Sequence, residues 1–430
     1  MYRPDLEAGT PDAIRNRQFL RLNGLLREVL PANRFYQAKL GGCPAPHGWD
    51  EFRRIPFTTK QELVADQAAR PPLGSIATYE LTRYRAYHQT SGTAGRPLIV
   101  LDTRESWDWW AECWNYVYHA AGVTPSDRIF FAFSFGPFIG FWSAFEGARR
   151  LGALTIPGGG MDSMSRLELM RRSGATVLLS TPTYALRLVE IARDQGQSLQ
   201  DIGVRVTIHA GEPGGSIPAV QSRIDDAFGS RSFDHSGATE VGAYGFSCEV
   251  RDGVHVNEEE FIAEVIDPLT GKHVMEGDSG ELVITNLGRP GWPVIRYRTG
   301  DLVNFGGRLC ACGRTFLKLP GGLLGRVDDL IIVRGVNIYP SSVEAIVRTF
   351  EVDEFRLVRT LHLGMEELAV EVEAHEDVAR PLADALRQRL GVRIPTRMVS
   401  ATSLPRFELK AKRVIDLRNQ PANMDGWTKL

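Results

Sequence analysis

The spacing of apolar residues divides the chain into helices and strands that alternate over most of its length. Apolar residues at helical spacing predict an N-terminal helix over 11–41. Four short apolar runs further on are typical of strands: 129–133, 154–157, 176–180 and 204–208. Segments of helical pattern separate these runs, for example 136–150 and 184–194. This alternation predicts an α/β fold in which a parallel sheet carries helices on both faces.

The pattern changes twice toward the C-terminus. From about 243 to 320, short strands with turn signals predict a β-rich subdomain, with strands at 261–266, 280–285 and 293–297. After Asp328 and Asp329 a new strand begins a small α+β unit of about 100 residues, a common domain size. We therefore predict an N-terminal domain over 1–328 and a C-terminal domain over 329–430.

Composition and charge exclude several classes of partner. Lys and Arg number 50 and Asp and Glu number 52, so a formal net charge of −2 argues against nucleic acid and anionic membranes. No apolar run approaches the roughly 20 residues of a membrane span. The charged N-terminus lacks a signal-peptide core, so we expect a cytoplasmic protein. Five cysteines are too few and too scattered for a disulfide framework.

A polar, glycine-rich segment separates two strand-like runs at 84–87 and 98–101. It reads Thr90-Ser91-Gly92-Thr93-Ala94-Gly95-Arg96-Pro97. The hydroxyls and backbone N–H groups of such a turn can converge on an anion. An ordinary Ser/Gly hairpin is the alternative. A Walker P-loop fits less well, because that motif needs Gly-Lys-Ser/Thr at the start of a helix.

Further motifs favour the anion-binding interpretation. They are Pro56-Phe57-Thr58-Thr59-Lys60, Ala210-Gly211-Glu212-Pro213, Ser236-Gly237-Ala238-Thr239-Glu240, Tyr297-Arg298-Thr299-Gly300-Asp301, Gly325-Arg326-Val327-Asp328 and Leu404-Pro405-Arg406-Phe407-Glu408-Leu409-Lys410. In this order, over nearly the whole chain, they resemble the adenylate-forming superfamily of acyl-CoA synthetases and nonribosomal adenylation domains. Within that superfamily the chain is most similar to the phenylacetate-CoA ligase branch. The resemblance implies a nucleotide-binding N-terminal domain and a mobile C-terminal domain.

The resemblance also implies a set of ATP contacts. They fall on Thr90, Ser91, Gly92, Thr93, Gly95, Gly211, Glu212, Pro213, Ser236, Gly237, Ala238, Asp301 and Arg326. The backbone of 211–213 would line the adenine site, and the Asp301 carboxylate would accept hydrogen bonds from both ribose hydroxyls. Ser236 departs from the family, in which an aromatic residue packs on adenine.

Catalytic roles follow from the same resemblance. Thr239 would contact the nucleotide phosphate, and the Glu240 carboxylate would hold Mg²⁺, which prefers oxygen ligands. Asp328 would be the hinge of the C-terminal domain, and Gly335 would let backbone approach the tunnel for the thiol.

The catalytic cation of the family falls on Lys410, five residues after Pro405. Leu409 stands where the family often has Gly, so Lys412 and Arg413 are rival cations. The chemistry requires such a charge, because a carboxylate must attack an α-phosphate that is already anionic. Preorganised charges of this kind are worth roughly several kcal/mol.

Cys248, His255, Cys310 and Cys312 form a separate constellation. Three thiolates and one imidazole suit tetrahedral Zn²⁺. The Cys-x-Cys spacing differs from the usual Cys-x₂-Cys of zinc sites. The alternative is three free thiols and a surface histidine. Since none of the four belongs to a nucleotide motif, we predict a structural zinc site.

Aromatic residues cluster between 131 and 142, and we expect most of them in the core. Phe135, Gly136 and Phe138 follow a strand end, where pockets form. Together with Tyr184 they are predicted to line a flat apolar pocket for an aromatic carboxylic acid. His88 and His235, each beside a nucleotide motif, are interpreted as satisfied polar neighbours, with substrate contact as the alternative.

We therefore predict an AMP-forming acid–thiol ligase that uses ATP and Mg²⁺ to activate an aromatic acid and transfers the acyl group to CoA. One alternative is transfer to a carrier-protein thiol or an amine. A catalytically inactive nucleotide or acyl sensor is another, and the presence of Lys410, Glu240 and Asp301 argues against it. The sequence leaves open the acid, the acceptor and the oligomeric state, a homodimer included.

Overall fold

The computed structural model of the chain describes residues 1–41, 46–90, 96–362, 365–407 and 411–418. Its helices are α1 (Pro4–Glu7), α2 (Pro11–Val29), α3 (Arg34–Leu40), α4 (Trp49–Phe52), α5 (Lys60–Ala69), α6 (Arg104–Ala120), α7 (Ile139–Leu151), α8 (Ser163–Ser173), α9 (Pro182–Asp194), α10 (Pro218–Phe228), α11 (Pro340–Val347) and α12 (Ala379–Leu390). Within the described ranges, no helix has both the length and the apolar character needed to cross a membrane.

The strands carry the remaining regular structure. They are β1 (Tyr84–Gln89), β2 (Ile99–Thr103), β3 (Arg128–Phe131), β4 (Leu154–Pro157), β5 (Val177–Ser180), β6 (Val206–His209), β7 (Arg231–Ala238), β8 (Gly242–Phe246), β9 (Gly253–Val256), β10 (Phe261–Ile266), β11 (Ser279–Asn286), β12 (Tyr297–Asn304), β13 (Lys318–Pro320), β14 (Leu323–Arg326), β15 (Ile331–Val333), β16 (Val336–Ile338), β17 (Val352–His362), β18 (Met365–Ala374), β19 (Thr396–Met398) and β20 (Val414–Asp416).

The largest sheet has the order β13-β9-β8-β7-β6-β5-β3-β4. Its strands from β7 to β4 are parallel, with register pairs such as Val177↔Val206 and Val206↔Arg231. Helices α6 and α7 pack on the face that carries Phe131, whereas α8, α9 and α10 pack on the face that carries Phe130. The predicted parallel sheet with helices on both faces is therefore confirmed.

The predicted β-rich subdomain divides between two sheets. Strands β8, β9 and β13 continue the large sheet with antiparallel pairing, because β7 and β8 form a hairpin. Strands β10, β11, β12 and β14 form a separate four-stranded sheet. The strand predicted at 293–297 instead begins at Tyr297, because Arg296 has a left-handed φ of 46° that interrupts extended backbone.

The predicted N-terminal helix over 11–41 is two helices, α2 and α3. Pro31 follows the end of α2, and it lacks the N–H that a continuing helix would need. The Asn33 side chain then accepts the Tyr36 N–H at 3.0 Å and caps α3. Helix α5 begins after the Thr59 N-cap, which forms a reciprocal capping box with Glu62.

The C-terminal part contains its own sheets and core. Strands β15 and β16 form a hairpin, and β19-β18-β17-β20 form a four-stranded sheet packed with α11 and α12. Among the described residues, this third core is built from positions 331–398. The α+β character predicted for this region is thus present, and a domain boundary at 328/329 stays a prediction.

Candidate active site

The hairpin of β1 and β2 carries the predicted phosphate loop. Register pairing of Gln89 with Ile99 brings the two ends of the loop together. Thr90 is buried and closes the base of the loop: its N–H donates to the Leu98 carbonyl at 3.0 Å, and its hydroxyl accepts the Leu98 N–H at 3.0 Å. The other predicted ATP contacts here, Ser91, Gly92, Thr93 and Gly95, lie outside the described residues.

A fully buried ion pair ties this hairpin to the turn with Thr239 and Glu240. Arg289 Nε and Nη2 donate to the two Asp102 oxygens at 2.7 and 2.6 Å, and neither side chain is exposed. Arg289 Nη1 donates to the carbonyls of Thr239 at 2.9 Å and Glu240 at 3.2 Å. Burial raises the pKa of Asp102, and the Arg289 charge opposes that rise. One guanidinium thus connects both predicted phosphate-binding segments.

The buried Glu240 carboxylate contacts two groups that sequence reasoning gave no role. Lys60 Nζ lies 2.9 Å from Glu240 Oε1, and the Tyr297 hydroxyl donates to the same oxygen at 3.2 Å. Lys60 is the first residue of α5, directly after the Thr59 cap. Its position in the 56–60 motif was the signal from which a role for Lys60 could have been predicted. That motif does not indicate which distant carboxylate the lysine contacts.

The predicted adenine-site residues 236–238 end strand β7. Ser236 is buried, and its Cβ faces Gly245 of the neighbouring strand. The adjacent His235 ring lies 4.1 Å from the Trp114 ring, and Nδ1 lies 2.7 Å from the Gly245 carbonyl. Burial lowers the pKa of His235 to about 4, so this imidazole is neutral at neutral pH.

His88 has a similar environment beside the β1–β2 hairpin. Its ring stacks on Trp107 with centroids 5.1 Å apart. Burial, with the nearby Arg289 charge, lowers the pKa of His88 to about 4. Both histidines are neutral aromatic packing partners at neutral pH. His235 is hydrogen-bonded, as the interpretation of a satisfied polar neighbour requires, whereas Nδ1 of His88 is buried without a hydrogen-bond partner among the described residues.

Asp301 and Arg326 face each other across strands β12 and β14. Arg326 Nη1 donates to Asp301 Oδ1 at 2.9 Å and to the Thr299 carbonyl at 2.6 Å. Arg326 Nε also lies 3.4 Å from the predicted hinge residue Asp328. Gly300 has a φ of 72°, and a Cβ there would lie 2.4 Å from the guanidinium. The glycine is required for this close approach.

The segment 211–213 follows strand β6. The Glu212 carboxylate accepts the backbone N–H of Thr183 and of Ala411, each at 2.9 Å. Ala411 is the residue after Lys410, which itself lies outside the described residues. The rival cation Arg413 is buried and donates to Glu354 at 2.6 Å and Glu344 at 3.2 Å, so its charge is compensated, whereas Lys412 is exposed.

The predicted acyl-pocket residues are brought together only in part. Phe135 packs beside Trp142 with ring centroids 4.9 Å apart, and the Trp142 indole donates to the Gly136 carbonyl at 2.9 Å. Phe138 is exposed nearby. Tyr184 instead lies in the core on the opposite face of the large sheet, with its hydroxyl 2.9 Å from Ser163 Oγ. The aromatic cluster after β3 therefore assembles without Tyr184.

The four predicted zinc ligands converge at the edge of the large sheet. Their ligand atoms all lie within 4.8 Å of one another. Cys248 Sγ is 3.8 Å from Cys310 Sγ, and Cys312 Sγ is 3.5 Å from His255 Nε2. Zn–S bonds of about 2.3 Å and Zn–N bonds of about 2.0 Å at tetrahedral angles give separations of about 3.8 and 3.5 Å. His255 Nδ1 lies 3.1 Å from the Phe316 carbonyl, which orients Nε2 toward the thiols.

Comparison with known proteins relates the chain to one family of enzymes. Residues 335–418 match the AMP-binding enzyme C-terminal domain. The chain is 31% identical to phenylacetate-coenzyme A ligase of Thermus thermophilus, over 97% of this chain and 100% of that protein. It is 31% identical to the Escherichia coli phenylacetate-coenzyme A ligase, over 96% and 97% of the two chains.

Solved structures of one ligase extend the comparison to domain arrangement. The chain superposes on 2-hydroxyisobutyryl-CoA ligase in the postadenylation state, in complex with 2-HIB-AMP, with a TM-score of 0.91 at 29% identity. On the same ligase in the thioesterification state, with 2-HIB-AMP and CoA, the TM-score is 0.74 at 30% identity. Both comparisons cover 97% of this chain and 92% of the other.

Fold and site together define an adenylate-forming enzyme. Because these relatives match over nearly their full length, the class can be narrowed to one branch. The chain belongs to the phenylacetate-CoA ligase branch of the adenylate-forming superfamily. It is an acid–thiol ligase of the AMP-forming type. The predicted family, fold class and enzyme class are confirmed, whereas the roles of individual residues stay predictions.

The buried pair generates a stability prediction. Arg289→Met leaves the Asp102 carboxylate buried without its partner, so we expect a loss of about 3–5 kcal/mol in the free energy of unfolding. Urea denaturation monitored by tryptophan fluorescence measures it. The control Arg104→Met removes an exposed pair with Asp108 and is expected to cost about 0–1 kcal/mol. A loss below about 1 kcal/mol for Arg289→Met would contradict the assignment.

Proposed function

We propose that this enzyme activates an aromatic carboxylic acid with ATP and Mg²⁺ and transfers the acyl group to the thiol of CoA. The observation that carries the proposal is the link through Arg289 between the β1–β2 hairpin and the Glu240 turn. It holds two phosphate-binding elements together in a chain similar over nearly its full length to phenylacetate-coenzyme A ligases. The co-substrates ATP and CoA favour a cytoplasmic location.

In the first half-reaction a carboxylate oxygen of the acid attacks the α-phosphorus of ATP. A new P–O bond forms, the bond to the β-phosphate oxygen breaks, and pyrophosphate leaves. Residues 90–95 and Thr239 hold the phosphates, Asp301 holds the ribose, and Lys410 offsets the charge that builds in the transition state. Segments 211–213 and 236–238 surround the adenine.

Glu240 is the proposed residue for Mg²⁺. Its buried carboxylate, beside the Tyr297 hydroxyl, supplies the hard oxygen donors that this ion prefers. When bound, the ion supplies positive charge beside the leaving phosphates. Lys60 contacts the same carboxylate, so a second positive charge is already held at this position.

In the second half-reaction the CoA thiol attacks the acyl carbonyl carbon, and AMP leaves with the electrons of the broken acyl–oxygen bond. We propose that the domain 329–430 rotates about Asp328 between the two steps and withdraws Lys410. Among the described residues, contacts between 329–430 and the rest include ion pairs, for example Arg406 with Glu190 and Arg193 with Asp353, each at 2.9 Å. A partly exposed pair such as Arg193 with Asp353 can be exchanged for water at small cost.

The acid is proposed to lie against the aromatic cluster of Phe135 and Phe138, where Gly136 leaves space for a flat ring. A homodimer is the proposed assembly. A carrier-protein thiol or an amine is the competing acceptor of the acyl group. Product analysis with and without CoA distinguishes the acceptors.

The cysteine–histidine cluster is proposed to bind a structural Zn²⁺. Three sulfur atoms and one imidazole nitrogen close a tetrahedral site without an open coordination position. The ion would hold the loop with Cys310 and Cys312 against β9 and the end of β8.

Lys410 is the proposed catalytic cation of the first half-reaction. Lys410→Ala removes this charge, so ATP–pyrophosphate exchange is expected to fall by about 10²–10³-fold. Formation of thioester from a supplied acyl-adenylate and CoA should change by less than about threefold, since the lysine is withdrawn in that step. Lys412→Ala is the matched comparison, with near-normal exchange. Equal loss in both half-reactions, or loss in Lys412→Ala instead, would contradict the proposal.

The second prediction concerns the acid. A pyrophosphate-release assay should give at least about tenfold higher kcat/KM for benzoic, phenylacetic and hydroxylated or amino-substituted aryl acids than for aliphatic acids of equal carbon number. A flat apolar pocket favours a ring over a flexible chain. A preference for the aliphatic series would show that the aromatic assignment is wrong.

The third prediction concerns zinc. Plasma emission spectrometry of the purified enzyme should find about one zinc per chain. Cys310→Ser should lose the metal and lower the Tm, while kcat of the surviving enzyme changes by less than about threefold because the site is structural. Cys113→Ser changes a buried cysteine outside the cluster and should keep its zinc. A zinc-free wild-type protein would refute the assignment.

A further inference from the structure

Glu212 was expected to contribute backbone to the adenine site, but its carboxylate makes a different kind of contact. It accepts the N–H of Thr183, at the start of α9, and the N–H of Ala411, each at 2.9 Å. Glu212 lies on the loop after β6, which belongs to the large sheet. The carboxylate therefore bridges the large sheet and the C-terminal segment.

The segment around Ala411 is attached to the C-terminal sheet on its other side. Strand β20 pairs with β17, and the Leu357 N–H donates to the Arg413 carbonyl at 2.7 Å. The buried Arg413 side chain is held by Glu354 at 2.6 Å, and its guanidinium reaches the Thr183 hydroxyl at 3.4 Å. If the C-terminal sheet moves relative to the large sheet, this segment moves with it and the bond to Glu212 breaks.

We propose that Glu212 is a positioning residue for adenylate formation: its carboxylate anchors the backbone of Ala411, the residue next to Lys410, beside the segment 211–213. The inference rests on the proposed function, in which Lys410 acts in the first half-reaction alone. Burial raises the pKa of Glu212, and the hydrogen bonds from Thr183 and Ala411, with the Arg413 charge, oppose that rise. In its ionised form the carboxylate suits this task, because hydrogen bonds to charged groups are stronger than those between neutral groups.

The position of Glu212 explains why a carboxylate is needed rather than an amide. Two backbone N–H donors converge on its two oxygens, one donor on each oxygen. A glutamine of the same size would accept one of them and turn its NH₂ group toward the other. Glu212→Gln thus breaks one bond without removing side-chain volume.

The test separates the two half-reactions in Glu212→Gln. The kcat of ATP–pyrophosphate exchange should fall by about 10- to 100-fold. The KM values for ATP and for the acid should stay within about threefold of the wild-type values. Thioester formation from a supplied acyl-adenylate should be unchanged or faster, because that step does not use the anchored arrangement. Glu212→Asp, which keeps the charge on a shorter side chain, should recover part of the exchange activity.

Asp162→Ala is the matched control for a structural role. The Asp162 carboxylate accepts the Ser165 N–H at 2.9 Å and caps α8, which shares a core with α9. Weakening this cap should affect both half-reactions equally and lower the Tm. If Glu212→Gln behaves in the same way, the positioning role is overturned and Glu212 acts only as a cap of α9.

The Lys410→Ala result distinguishes failure of this inference from failure of the proposed function. If Lys410→Ala separates the half-reactions while Glu212→Gln lowers both equally, the anchoring role alone is overturned. If Lys410→Ala does not separate them, the proposed alternation fails, and the anchoring role fails with it.

Discussion

The site depends on the buried pair of Asp102 and Arg289. Taking two charges out of water is costly, and the cost is recovered only when geometry and further hydrogen bonds satisfy both groups. Here the guanidinium makes two bonds to the carboxylate and two to backbone carbonyls. The pair fixes the β1–β2 hairpin relative to the Glu240 turn. The pair thus connects two predicted anion-binding segments that lie far apart in the chain, alongside the bond from the Tyr84 hydroxyl to the Gly291 carbonyl at 2.6 Å.

The cores of the two parts and the contacts between these parts depend on different kinds of interaction. The large sheet and the C-terminal sheet each pack around an apolar core of their own. Among the described residues, the contacts between them include hydrogen bonds and ion pairs, such as Glu212 with Ala411 and Arg406 with Glu190. Apolar cores resist rearrangement, whereas polar contacts can be replaced by water. This difference suits a chain whose arrangement is more similar to the postadenylation state of a related ligase than to its thioesterification state.

The cysteine–histidine cluster lies in a part of the fold with little regular structure. Strand β13 has three residues, and the loop before it carries Cys310 and Cys312. A pairing this short supplies few backbone hydrogen bonds. Ligands from β9 and from the end of β8 would let a metal hold this loop where strand pairing is weak. The cluster is a feature of the sheet edge and belongs to none of the nucleotide motifs.

Local chemistry in the sequence determined the alternating helices and strands, the Thr59 cap, and the side chains of the cysteine–histidine cluster. Periodicity, helix caps and ligand types can be recognised from the residue types themselves. Tertiary structure decided the rest. It paired Arg289 with Asp102, placed Lys60 beside Glu240, and gave the Glu212 carboxylate to the backbone of Ala411. It also placed Tyr184 and Phe135 on opposite faces of the large sheet. Such pairings join residues far apart in the chain, and their geometry exists only once the sheets have packed.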